Sequence, residues 1–173
     1  MKGLVFTLIV IVSFLSANAQ ESTKKSSKSY KEEKQAEQIK KVSELVENKT
    51  FVFNAHKAVP LCGDAVNLEY LFFVNLNNNK ITSYLPFYGF ESDYTIENTP
   101  LSFTSTINDY SINLEKDKFV ITFNVSNNDD DLKFYFRISK LGYTYLKITS
   151  EQRQPISFLG IIDESEPSVS VGF

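Results

Sequence analysis

Through residues 117–149 apolar residues fall at every second position, and the rest of the chain is organised around that stretch. Phe119, Ile121, Phe123 and Val125 alternate with polar residues that include Lys118, Thr122, Asn124 and Ser126. Asn127-Asn128-Asp129-Asp130-Asp131 interrupts the pattern, which restarts as Leu132, Phe134, Phe136 and Ile138 against Lys133, Tyr135 and Arg137. Ser139 to Gly142 make a second turn, after which Thr144, Leu146 and Ile148 continue the apolar row. Side chains in a strand point alternately to opposite faces, so the pattern predicts an antiparallel meander with one buried and one wet face.

The same period recurs on both sides. Phe51, Phe53 and Ala55 alternate before Pro60 and Gly63 mark a loop, and Leu68, Tyr70, Phe72 and Val74 predict the next strand. Asn77-Asn78-Asn79 reads as a tight turn, because Asn tolerates the left-handed conformation such hairpins need. Ile81, Ser83 and Leu85 return, and the aromatic run Tyr84 to Phe90 follows, broken out of regular pairing by Pro86. Residues 91–104 are polar and read as loop and edge; Tyr110, Ile112 and Leu114 predict a further strand. Ile156, Phe158 and Gly160-Ile161-Ile162 predict the last one. About eight short strands at regular spacing predict an all-β, mainly antiparallel domain. A small, lipocalin-like, partly closed barrel with one N-terminal α-helix fits this count, since closure removes exposed sheet edges.

The N-terminal part follows other rules. Lys2, the apolar run Leu4 to Leu15, and Ala17-Asn18-Ala19 have the layout of a secretory signal peptide cleaved after Ala19. The run is too short to predict a membrane span, so the mature chain is expected without one and in the periplasm or outside the cell. Residues 20–49 read as a polar Ser/Lys-rich linker followed by an amphipathic helix carrying Ala36, Ile39, Val42, Leu45 and Val46, with Asn48 as its stop. Residues 50–163 then form the barrel-like domain, and residues 164–173 an acidic, Ser-rich tail.

Composition removes several function classes. The chain has 173 residues, 15 Phe and 9 Tyr, enough aromatic volume for a packed core. A net charge of −3 gives no electrostatic footprint for nucleic acid. One cysteine, Cys62, and one histidine, His56, cannot make an intramolecular disulfide or a Cys/His zinc cluster, and no metal or other cofactor is expected.

Several stretches carry a family resemblance: "TFVFNAHKAVP", "SYLPFYG" after a hairpin, "NDYSINLEKDKFVITFNV", "KFYFRISKLGYTYLKIT" and "RQPISFLGII". In this order, behind a signal peptide and a charged helix, they resemble the domain-of-unknown-function family 4251 of Gram-negative envelope proteins, from about residue 33 to 163. The motifs are structural: Leu85-Pro86-Phe87 with Gly89, the Gly142 turn, and Arg153 leading into Ile156-Ser157-Phe158 and Gly160. The resemblance implies a secreted β-rich domain and supplies no catalytic residues. Many members look like lipoproteins, but no Cys stands at the cleavage point here, so no lipid anchor is expected.

Candidate chemistry is sparse. The Asn127–Asp131 run offers alternate oxygens, but Leu132 and Ile138 stand where an EF-hand needs Gly and Glu, which predicts a solvated hairpin tip. His56 has no nucleophile-elbow Gly-x-Ser-x-Gly anywhere in the chain to serve. Cys62 lies in a loop without a cationic neighbour to lower its pKa. The aromatic run is the feature with a binding reading: Tyr84, Phe87, Tyr88 and Phe90, with Arg153 for a carboxylate, could line a barrel mouth. The opposing reading has Leu85 and Phe87 plugging that mouth and Arg153 paired with an acid. The expected function is thus an exported, non-enzymatic envelope protein binding a small apolar ligand or another envelope component. The alternative is a structural or protein-interaction module using the helix or a sheet edge, and a third reading is a hydrolase assembled around His56.

Overall fold

The computed structural model describes residues 29–88, 101–127 and 130–164; the expected leader, linker and most of the tail lie outside them. Eight strands follow one helix, α1, at residues 29–47. They are β1 (Thr50–Pro60), β2 (Val66–Asn77), β3 (Lys80–Leu85), β4 (Leu101–Glu115), β5 (Lys118–Asn127), β6 (Asp130–Ser139), β7 (Tyr143–Thr149) and β8 (Ile156–Asp163). Each pairs antiparallel with the next, and β8 pairs with β1, so the sheet closes into a barrel. Among the described residues closure is complete, and no strand is left as an edge.

The chain divides into a unit ending at Glu37 and a unit beginning at Gln38. In the first, the described helical residues 29–37 are exposed, and the Lys34 Nζ stands 4.8 Å from the centroid of the Tyr30 ring. The second contains the remainder of α1 and the barrel. Val42 and Val46 are fully buried, with Leu45 partly so, which is the stripe expected from the helical period. Gly142, at φ 92°, ends the β6–β7 turn where a Cβ would sit 3.4 Å from the Val42 side chain. Gln38 Nε2 donates to the Leu141 carbonyl, and Lys41 Nζ lies 2.9 Å from Asp163 Oδ1. That hydrogen bond raises the Lys41 pKa and lowers that of Asp163, so the pair is weakened below the carboxylate range and above the lysine range.

An eight-strand barrel is just wide enough for its own side chains to fill. Here phenylalanine fills it. Phe136 meets Phe51 and Phe53 edge-on at 5.7 and 5.9 Å, and stacks on Phe123 at 5.9 Å. Phe134 stacks on Phe123 at 5.1 Å, and Phe158 is buried with them. The inward rows predicted for the meander are the rows that build this core.

Two β-bulges bend the wall. Against β8 the extra residue of β1 is His56, between Ala55 and Lys57, whereas on the other side residues 68–71 of β2 oppose it; the inner row of β1 passes from Phe51, Phe53 and Ala55 to Ala58. In β4 the register slips between Asn108 and Ser111, with Asp109 at φ 53°. β4 also begins earlier than the sequence suggested, at Leu101, pairing with β3 over six residues. Its Ser- and Thr-rich pattern hides the inner row Leu101, Phe103, Ser105 and Ile107.

The second bulge turns Tyr110 inward to stack on Phe123 at 6.3 Å, where its hydroxyl has no partner. Burial pushes its pKa up to about 12. Tyr110→Phe should thus stabilise the fold by about 1 kcal/mol, since it removes an unsatisfied buried polar group. Tyrosinate is favoured in the unfolded chain, so wild-type stability falls from pH 10 towards 12, and the variant should lose less there. Urea unfolding of both proteins at pH 7 and pH 11 checks the sign.

Candidate functional site

At the end of the barrel away from α1, the β7–β8 connection closes over the core. Ser150 Oγ accepts the Gln152 and Arg153 amides at 2.9 and 3.2 Å, and its own proton goes to Asp130 Oδ1. That turn directs the Arg153 Nε to Asp130 Oδ2 at 2.9 Å, with both side chains nearly buried at 13% and 9% exposed. The guanidinium lies 5.5 Å from the ring centroid of Phe87, which follows Pro86 out of β3 and is itself buried. Phe87, Leu101, Leu132, Ile148 and Arg153 enclose a space of about 10 Å³ there. A single water needs that much, and a drug-sized ligand needs hundreds.

The five residues singled out in the sequence are thus distributed. Phe87 and Arg153 meet at this barrel end. Tyr84 stands outside, opposite Phe73 on β2, stacked on Phe72 at 5.5 Å and 47% exposed. Tyr88 is exposed, and Phe90 lies outside the described residues. Asp130, expected on a solvated tip, is buried instead, because it is the carboxylate for Arg153. His56 projects from its bulge and Cys62 is exposed. Among the described residues no three His, Cys, Asp or Glu side chains gather as metal ligands.

A different surface carries the larger concavity. A groove of about 470 Å³ crosses the outer wall over β5–β8, lined by Lys118, Arg137, Ser139, Tyr143, Tyr145 and Leu159 among others. The register sets the central row: Arg137 faces Val120 on β5 and Tyr145 on β7, and Tyr145 faces Leu159 on β8. The hydroxyls of Tyr145 and Ser157 share a 2.8 Å hydrogen bond, which ties that ring across the β7–β8 seam. Tyr143 is 65% exposed and Leu159 42%. The sequence did carry this signal. The outward places opposite the apolar row of β6 are Lys133, Tyr135 and Arg137, cation and ring by turns, and read only as a wet face.

The wall offers cationic and aromatic groups for binding. Among the described residues no helix is long and apolar enough to cross a membrane.

Comparison with known proteins gives a family and a fold. A family model described as Domain of unknown function (DUF4251) matches residues 33–162. A crystal structure of a DUF4251 family protein from Bacteroides eggerthii DSM 20697 is similar, with a TM-score of 0.56 and 14% identity. The similarity covers 74% of this chain and 90% of that one. No curated protein matches the chain.

Proposed function

We propose, from the premise that this chain belongs to the DUF4251 family and that membership supplies a fold without an activity, an exported, non-enzymatic envelope module. It works through the outside of its barrel. The observation that carries this reading is the occupied interior: phenylalanine rings in mutual contact leave about 10 Å³ beside Phe87, against about 470 Å³ in the outer groove. A lipocalin-type carrier needs an internal cavity of a few hundred Å³. A closed barrel also has no strand edge to lend to a partner, so side chains on the wall do the recognising. The signal-peptide pattern at residues 1–19 supports export.

Native mass spectrometry of the processed protein from its own host tests this. The expected result is a mass with no small molecule that is lost on denaturation. An excess mass released on denaturation would replace this reading with one of internal cargo.

A further inference from the structure

Four cations form a zigzag of diagonal contacts on the outer wall, passing from β5 to β6 to β7 and back to β6. Lys118 faces Ser139, two residues from Arg137; Arg137 faces Tyr145, two from Lys147; Lys147 faces Tyr135, two from Lys133. Diagonal neighbours on one sheet face stand about 7–8 Å apart. Like charges so placed repel, which a fold tolerates more easily when an anion neutralises them. Some other cations of the barrel unit are matched, Lys41 with Asp163 and Glu164, Lys140 with Asp117 and Arg153 with Asp130, whereas Lys57, Lys80 and Lys116 stand apart from one another on the surface without an ion pair among the described residues. None of the four on the zigzag has an ion-pair partner among the described residues. The acids at the margin are Glu115, across from Lys118, and Asp131, which accepts from Ser126. In a chain of net charge −3 this cation-rich face, with acids only at its two ends, is a local departure.

We infer that the zigzag and the groove beside it bind an acidic polysaccharide, a chain of sugar rings carrying carboxylates or phosphates. This rests on the exported, outward-acting reading above. Arg137 supplies a planar fork for an acid group, and the lysines supply point charges along the chain. Tyr143, Tyr145 and Leu159 supply apolar surface for the C–H faces of sugar rings. Tyr145, tied at its hydroxyl to the β8 side of the seam, offers a fixed platform. The groove is open, and the zigzag continues past it to Lys133, which suits an extended polymer better than a compact molecule.

The test measures binding of the full chain, expressed from its complete sequence and processed by its host, to polygalacturonate and to a phosphorylated mannan. Neutral dextran, oligothymidylate and polyglutamate are the comparisons. The expected result is binding of an acidic glycan that is lost with dextran and weakens about tenfold or more in Arg137→Gln/Lys147→Gln. Tyr143→Ala, at a ring too exposed to hold the core, should weaken it several-fold with an unchanged Tm. No binding of either acidic glycan, or equal binding by the double variant, overturns the inference. Tighter binding of oligothymidylate or polyglutamate also overturns it, in favour of nucleic acid or an acidic protein, and leaves the outward-acting reading standing. Internal cargo in native mass spectrometry removes that reading itself.

Discussion

Gly160→Ala is expected to lower the melting temperature by about 10 °C or more, from a destabilisation of about 3 kcal/mol or greater. A Cβ at Gly160 would stand 1.9 Å from the Asn54 carbonyl oxygen and 2.7 Å from the Phe53 ring. The nearest of these atoms is backbone, so no rotamer change relieves it. Gly160 pairs with Ala55 immediately before the His56 bulge, where β1 comes closest to β8. Relief would require the two strands that close the barrel to move apart. Gly63→Ala is the control, since a Cβ there meets nothing within 4 Å, although its φ of 101° carries a local cost of about 1 kcal/mol. Thermal unfolding of the two variants beside wild type decides it; equal shifts would remove the close approach as the cause.

The second large effect is expected at the opposite end of the barrel from α1. Asp130→Ala takes the carboxylate from a nearly buried guanidinium and should cost about 3–5 kcal/mol. It also frees the Ser150 hydroxyl that organises the turn carrying Arg153. The paired change Asp130→Leu/Arg153→Met should recover much of that loss, because it removes both charges while keeping apolar volume near Phe87. Urea unfolding would show a lower midpoint at unchanged slope for Asp130→Ala. Equal losses in the single and paired variants would show that shape, not charge, seals this end.

The elements that proved legible are those whose inner row is mostly large and apolar, with Ser83 and Thr144 as its polar members. Phe119 to Ile148 gave strands, faces and turns, because a period of two over large side chains has one packing solution. Val42 and Val46 were legible for the same reason at the helical period. β4 was half hidden, since Ser105 interrupts its inner row among outward Ser102, Thr104 and Thr106, and its bulge changes phase at Asp109. That Arg153 would pair with an acid was one reading of the sequence, but that the acid is Asp130 was not legible. Asp130 sits in a run of acids that looks solvated, and only the β7–β8 turn brings an arginine to it. Of the outward residues read on β6 only Arg137 lines the outer groove, whose shape depends on strands whose register no local pattern declares.

Seven of the eight strand pairings join neighbours in the chain; the eighth joins β1 to β8. That seam spans the two ends of the sheet and is the single closure of largest sequence separation. A chain made from its N-terminus therefore presents β1 as an open, apolar-faced edge until β8, Ile156 to Asp163, has been synthesised. The seam sets the pace of folding, and an interruption in β8 leaves seven strands curled around an unfilled place.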